Sequence, residues 1–379
     1  MAVSRQRTTV IVTGPYHSGK TTLVRRLFPS HEYVSLSDDR EARELARTRP
    51  QDFFRRYAGD IVVDEFRLAP ELSGVIRAAS AGEARPGRFI LLSSHRAPGS
   101  SIAPAPPDKL ASVTLLPLTI GELTGSGIRL QRDGYIHRGF MPRVYGAAGG
   151  ASGEQDAVWR SYYSLYLERC VMPIITTGCG DALKRFLALL AGRVGQAVNL
   201  STYAAEVGVA TSTLSSWVAA LEANFVIFRL PCYGGGLGER IVRAPKLYFS
   251  DVGLAVHLLG IRNEAQLPRD PQVGNLFENM VVAEVLKSCR NRGKGGELYY
   301  FRNRGGLEID LIVKNRADIV PIEIKCSAKF SSQYGKNIRE FRKLSSNIGA
   351  GYIVYGGENR PGDGGSRFVN YKRSCELIN

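Results

Sequence analysis

Gly14-Pro15-Tyr16-His17-Ser18-Gly19-Lys20-Thr21 is the stretch whose reading decides the fold, because it satisfies G-x-x-x-x-G-K-[ST] at every fixed position. Its flanks fit the same reading. Thr8 to Thr13 (TTVIVT) is a β-branched run that predicts a buried strand, and Thr22 to Phe28 (TLVRRLF) predicts a helix halted at Pro29. A strand, a glycine loop and a helix N-terminus together make an anion site: successive backbone N–H groups point inward and the helix dipole adds partial positive charge. A glycine turn that matches the pattern by chance would account for the octapeptide but not for both flanks. The residues expected around bound phosphates are Gly14, Ser18, Gly19, Lys20, Thr21 and Thr22. Lys20 is placed to reach the β- and γ-phosphates and the Thr21 hydroxyl to hold Mg²⁺.

About forty residues further on, Asp60-Ile61-Val62-Val63-Asp64-Glu65 is an apolar strand ending in two acids. After a phosphate loop this is the second half of an ATP site, with Asp64 as a Mg²⁺ ligand and Glu65 as the general base that polarises water. Two solvated acids at a strand end are the plainer alternative. Arg88 to His95 (RFILLSSH) is a third buried strand, and Ser112 to Leu118 (SVTLLPL) a fourth. The third ends in hydroxyls beside the phosphates if the sheet is parallel, since ligands bind at the carboxyl ends of such strands. Ser94, or Ser93, then senses the γ-phosphate; simple loop-start serines are the other reading. Strands alternating with helices (Asp38 to Arg49, Asp52 to Tyr57) predict an α/β fold with a parallel sheet.

The chain has 379 residues, which suggests two or three domains. Its hydrophobic fraction of 44% and charged fraction of 22% are those of a globular protein, and no run approaches a membrane span. The N-terminus runs straight into a strand, which predicts no signal peptide. Six scattered cysteines with no C-x-x-C pair argue for reduced thiols in a cytoplasm and against structural zinc. A net charge of +15 suits a polyanionic partner such as nucleic acid.

The second half divides at Gly146 to Gly153, a flexible joint. Beyond it, Asp181 to Leu190, Ser201 to Gly208 and Thr211 to Ala223 predict three helices, with Ser201 and Thr211 as N-caps. Ala204, Gly208, Val209, Leu214 and Trp217 have helix-turn-helix spacing, and Phe225 to Leu230 follows as a wing-like strand. That predicts a winged helix. The exposed face of its third helix offers Thr211, Ser212, Ser215 and Ser216 rather than Arg, Asn or Gln, so a packing module stands beside DNA reading as an interpretation.

The last third brings four charged residues into one pattern. Glu278 lies on the apolar side of a helix over Asn275 to Ser288. In Gly306 to Lys314, Glu308 and Asp310 share a strand face; in Ile319 to Cys326, Glu323 and Lys325 do. A hairpin turning at Asn315 to Asp318 puts Asp310 across from Glu323 and Glu308 across from Lys325. Facing carboxylates repel unless a positive group lies between them, and a divalent metal held by Asp310 and Glu323, with Lys325 orienting water, meets that need. A plain Glu308–Lys325 ion pair is the alternative. Basic residues (Lys287, Arg290, Arg292, Arg302, Lys336 and Arg342 among them) and Tyr299, Tyr300 and Phe301 crowd nearby, as a phosphate-backbone surface requires.

The order GPYHSGKTTL, YVSLSDDRE, IVVDEF, FILLSSH, TLLPLTIGEL, and then YIHRGFMPRVY, YLERCV, PKLYFSDVGLA, GNLFENMVVAEVL and YFRNRGGLEIDLIV, resembles bacterial and archaeal AAA-type ATPases. The likeness is to those that carry a C-terminal winged helix and a nuclease-like domain, and it covers nearly the whole chain. Two positions depart from the family pattern. Asp108-Lys109-Leu110-Ala111-Ser112 stands where an arginine is usual before the LLPL strand, and Cys170 stands where an aspartate usually follows YLER. The resemblance implies an AAA-type P-loop domain over 1–150, a helical linker and winged helix over 151–240, and a PD-(D/E)xK nuclease-like domain over 241–379. Glu278, Asp310, Glu323 and Lys325 match the nuclease pattern as its catalytic set. It further implies ATP and Mg²⁺ as cofactors, DNA as partner, branched or broken DNA included, and a homo-oligomer, with a ring of six expected. An arginine finger is then expected from Arg138, Arg143 or Arg169. The other function class is a nucleotide-switched regulator or scaffold that binds a protein partner and has an inactive C-terminal domain.

Overall fold

The computed structural model describes residues 6–82, 85–96, 104–146, 152–175, 180–234, 241–293, 297–315, 318–362 and 365–378. Parts of three sequence expectations lie outside these: the glycine joint (147–151), the centre of the 315–318 turn, and Cys179. The chain packs as two compact units, Met1–Leu116 with Ala223–Phe225, and Pro117–Glu222 with Val226–Asn379.

The first unit is a five-stranded parallel sheet of β1 (Thr9–Thr13), β2 (Glu32–Ser35), β3 (Ile61–Asp64), β4 (Phe89–Ser93) and β5 (Leu110–Thr114), in the order β2-β3-β4-β1-β5. Alternation of side chains gives it two apolar faces. Ile61, Val63, Phe89 and Leu91 join Phe53 and Ile76 on one side, while Val62, Ile90 and Leu92 join Val10, Val12 and Val24 on the other. Helices α1 (Lys20–Leu27), α2 (Arg40–Thr48), α3 (Pro50–Arg56) and α4 (Leu72–Ala81) connect the strands. Helix α1 starts two residues earlier than the sequence predicts, because Gly19 takes a left-handed conformation (φ 92°) and turns the loop directly into the helix. Helix α2 starts after Asp39, whose carboxylate accepts the Ala42 N–H at 2.8 Å. Strand β5 ends at Thr114, earlier than predicted. Leu115 still donates to Thr13 (2.7 Å), but Pro117 has no N–H with which to continue.

The second unit is mixed. Its helices are α5 (Ile120–Gly125), α6 (Arg132–Arg138), α7 (Pro142–Tyr145), α8 (Ser152–Tyr166), α9 (Gly180–Gly192), α10 (Leu200–Val207), α11 (Thr211–Ala223), α12 (Val252–Leu258), α13 (Val273–Asn291) and α14 (Lys336–Arg342). Strands β6 (Ile227–Leu230) and β7 (Lys246–Phe249) form an antiparallel pair after the α9–α11 helices. Asn199, rather than Ser201, caps α10 by accepting the Ser201 and Thr202 N–H groups, and Gly208 closes it at φ 80°.

Six strands form the larger sheet: β8 (Glu297–Arg302), β9 (Glu308–Asn315), β10 (Asp318–Lys325), β11 (Tyr352–Tyr355), β12 (Arg360–Pro361) and β13 (Arg367–Asn370), in the order β12-β13-β11-β10-β9-β8. Strands β8, β9 and β10 run antiparallel; β10, β11 and β13 run parallel, with α14 in the β10–β11 crossover. Helix α13 is buried around most of its circumference. Its Asn279 brackets β7, accepting the Phe249 N–H (2.8 Å) and donating to the Phe249 carbonyl (2.9 Å).

Candidate active site

The parallel register brings three chain segments to one edge of the first sheet. Thr13 pairs with Ser93, Ser35 with Asp64, and Val63 with Leu91, so the residues after β1, β3 and β4 emerge together. Strand β4 lies between the strand of the glycine loop and the strand that ends in Asp64. Ser94 therefore sits between Lys20 and Glu65.

Gly14 packs so tightly that a Cβ there would collide with the Leu115 carbonyl oxygen, and its φ of 155° is one that L side chains rarely adopt. The Lys20 ammonium, 5% exposed, donates to the carbonyls of Gly14 (2.9 Å) and Pro15 (2.8 Å) and to Ser94 Oγ (3.0 Å). Thr21 Oγ1 donates to Asp64 Oδ2 (2.6 Å), and the other Asp64 oxygen accepts the Glu65 N–H (2.9 Å). Glu65 is a non-glycine residue in the left-handed region (φ 50°), a strained turn that aims its carboxylate back at the loop. One Glu65 oxygen accepts the Ser94 hydroxyl; the other accepts Arg67 Nε at 3.0 Å. Thr22 is exposed on the first turn of α1, and the buried Ser18 hydroxyl has no hydrogen-bond partner among the described residues.

Two contributors, Arg67 and Tyr33, lie outside the sequence pattern. Arg67 binds Glu65 and also donates to Tyr16 OH (2.8 Å), tying Glu65 to the loop. Tyr33, the second residue of β2, donates to Asp64 Oδ2 (2.7 Å), with the Arg25 guanidinium 3.8 Å above its ring. Burial and that bond to a carboxylate push the Tyr33 phenol up to about 12, so it stays a donor. Arg67 lies two residues from Glu65 and was legible by proximity; Tyr33 depends on which strand neighbours β3.

The C-terminal acids form a second cluster. The hairpin register holds as far as it pairs, with Lys314 opposite Ile319 and Ile312 opposite Pro321, but the ladder stops at Leu311–Ile322. Past that point Asp310 Oδ2 accepts the Ile324 N–H (2.8 Å). Lys325 Nζ is 2.8 Å from Glu323 Oε2 and 3.9 Å from Asp310 Oδ2, so Lys325 serves that pair rather than Glu308. Glu308 is bound instead by Lys246 of β7 (2.8 Å), a residue outside the sequence pattern, which also reaches Glu278 Oε1 (3.1 Å). Tyr248 OH donates to that same Glu278 oxygen at 2.6 Å.

Burial pushes the Glu278 carboxyl up to about 7, and burial with Asp310 alongside pushes Glu323 up to about 8. Burial alone would lower the Lys246 ammonium, but the Glu278, Asp310 and Glu308 carboxylates outweigh it and hold Lys246 above its ordinary value.

The basic and aromatic surface expected nearby is only partly a surface. Arg290, Arg292, Arg302, Lys336 and Arg342 are exposed, but Lys287 is 1% exposed and paired with Glu284 at 2.9 Å, and Tyr300 and Phe301 are fully buried. They carry apolar packing, not stacking for bases. Of the finger candidates, Arg143 and Arg169 are exposed and Arg138 is half-buried; all three belong to the second unit. Cys170, Cys232, Cys289, Cys326 and Cys375 are free thiols. No helix among the described residues is long and apolar enough to cross a membrane.

Residues 6–124 match the model of the AAA domain family. Residues 130–265 and 273–373 match two families described as domains of unknown function, DUF8612 and DUF4143. Uncharacterized proteins of Mycobacterium tuberculosis and Mycobacterium bovis are each 28% identical over 359 residues, which is 93% of this chain and 77% of theirs. Among solved structures, a Walker-type ATPase of Pyrococcus abyssi aligns with a TM-score of 0.45 at 11% identity, over 68% of this chain and 92% of that one. A signal-transduction ATPase with a tetratricopeptide-repeat sensor from Pyrococcus horikoshii aligns with a TM-score of 0.23 at 11% identity, over 77% and 44%. The glycine loop and the five-stranded parallel sheet fall within the residues that match the AAA domain family, so the N-terminal part of this chain is similar to AAA-type P-loop domains.

Proposed function

We propose that the protein hydrolyses ATP with Mg²⁺ and couples that turnover to DNA. The observation that carries the ATP reading is the convergence of Lys20, Thr21, Asp64, Glu65 and Ser94 at one edge of the sheet through direct bonds. The residues fit the cofactor. Two hard oxygen donors, Thr21 Oγ1 and Asp64 Oδ2, are held side by side by their own 2.6 Å hydrogen bond and would be the residues to hold Mg²⁺, and the loop keeps a buried Ser18 hydroxyl, unpartnered among the described residues, beside a glycine that no side chain can replace. Mg²⁺ there neutralises phosphate charge. Lys20 exchanges its carbonyl partners for phosphate oxygens. Ser94 links Lys20 to Glu65, so it reports the γ-phosphate to the base. Glu65, held by Ser94 and Arg67, polarises the attacking water.

The DNA reading is supported by the charge of +15 and the exposed arginines and lysines of the C-terminal region. A strand arrangement β8–β9–β10 with α14 leading to a parallel β11, α13 preceding it and acids on α13, β9 and β10, supports a nuclease-like C-terminal domain. The second reading, a nucleotide-switched regulator with an inactive C-terminal domain, is favoured by the lysines lodged among those acids. ATPase rates with and without single-stranded, duplex and branched DNA separate the two. DNA stimulation that fades with added salt supports the first; a rate indifferent to every DNA and altered by a protein partner supports the second.

A further inference from the structure

Lys246 is a buried charge that neither the ATP site nor the nuclease pattern uses. Its side chain is 3% exposed, and its ammonium is shared between Glu278 of α13 (3.1 Å) and Glu308 of β9 (2.8 Å), above the Tyr300 ring. The strand that delivers it, β7, pairs with β6 and is not part of the sheet that carries the acids. At the other end of the cluster Lys325 takes Glu323 and Asp310. Four carboxyl groups thus face two ammonium groups, with Arg302 3.5 Å from Glu308.

A divalent cation and an ammonium compete for the same lone pairs, and they repel each other strongly in a buried site. Glu278 Oε1 already accepts from Lys246 and from Tyr248, and Asp310 Oδ2 from the Ile324 amide with Lys325 near. Among the described residues no group of three His, Cys, Asp or Glu side chains is arranged to hold a metal. Glu323 Oε1 is buried without a hydrogen-bond partner among the described residues, but one oxygen is no site: with the lysines bonded to Glu278, Glu308 and Glu323, the metal that the nuclease resemblance implies does not fit this arrangement.

We propose that Lys246 is a built-in counter-ion that takes Glu278 and Glu308, as Lys325 takes Asp310 and Glu323, so that the C-terminal acids are held together without a metal. The inference rests on the nuclease-like reading of these acids and turns it toward a domain that binds without cutting. Unpaired, the carboxylates would repel; unpaired, a buried ammonium would carry an uncompensated charge. The two groups therefore stabilise each other, and removing the lysine exposes a ligand set for Mn²⁺.

The test uses the full chain without nucleotide, with free Mn²⁺ followed by its electron paramagnetic resonance signal. In the wild type, Mn²⁺ uptake is the same as in Asp310→Asn. Lys246→Met gains one site per chain, with affinity up by about tenfold or more, and Lys246→Met/Asp310→Asn loses it again. Lys246→Gln, which is polar and neutral, replaces Lys246→Met if circular dichroism shows the latter unfolded. A wild-type Mn²⁺ site that disappears in Asp310→Asn overturns the inference while leaving the nuclease-like reading standing. Folded lysine variants that gain no site overturn both.

Discussion

Glu65 shows how one side chain is prepared for chemistry. Its backbone is strained, and both carboxylate oxygens are held, one by Ser94 and one by Arg67. Glu65→Gln keeps the shape and the metal ligands but loses the base, so ATP binding persists while turnover falls about 10²-fold or more. Fluorescent-nucleotide binding and phosphate release measure the two separately; wild-type turnover would remove Glu65 from the role. Lys20→Ala removes the main counter-charge to the phosphates and abolishes binding or turnover in the same assays. A pH effect belongs to Glu323. Its folded pKa of about 8 lies above the ordinary carboxylate value, so the folded state holds a proton that the unfolded chain has released. That contribution is full below about pH 4.3 and is lost as pH rises through about 8. The melting temperature of Glu323→Gln therefore gains on that of the wild type between pH 5 and pH 8.5. A difference that stays constant with pH would refute the assignment.

At the scale of an element, α13 organises the second unit because it is buried on nearly every side and carries polar groups that each have one task. Glu284 accepts the Ile120 N–H (2.9 Å), while Lys287 donates to the Leu118 carbonyl (2.6 Å) and lies 3.8 Å over the Phe140 ring. Asn279 supplies both bonds to Phe249. Asn279→Ala leaves a buried N–H and a buried carbonyl unpaired, at a cost of about 2–5 kcal/mol. The urea midpoint should drop accordingly; a midpoint shift within error would mean that water replaces the amide. The helix pattern in the sequence finds α13, but its apolar periodicity says nothing of Asn279, Glu284 or Lys287, because buried polar residues look like surface residues until their partners are known.

For the whole molecule, the expectation is assembly. An arginine finger from a neighbouring subunit raises turnover by about 10³–10⁵, and Arg138, Arg143 and Arg169 are its candidates. Specific ATPase activity should rise with protein concentration. Alanine at the true finger should be inactive alone and regain turnover when mixed with Lys20→Ala protein, since each chain supplies what the other lacks. Constant specific activity across a dilution series that is monomeric throughout would reject the idea. A homo-oligomer, and a ring of six in particular, is the arrangement to look for by sizing in the presence of ATP.

The sequence by itself determined the phosphate loop, the acids after β3, the alternation that buries both faces of the first sheet, and the β9–β10 register. All are local: a fixed spacing, a period of two residues, or a turn between adjacent strands. Strands β8, β11 and β13 went unread because they lack a marked alternation, and their pairing is set by partners far along the chain. The tertiary structure alone decided that Ser94 stands between Lys20 and Glu65, that Tyr33 and Arg67 hold the two acids, and that Lys246 enters the C-terminal cluster. These depend on strand order and on an element, β7, paired outside the sheet it serves. The physical reason is range: spacing fixes what one segment can do, whereas the charge that meets a buried carboxylate is chosen by whichever distant segment packs against it.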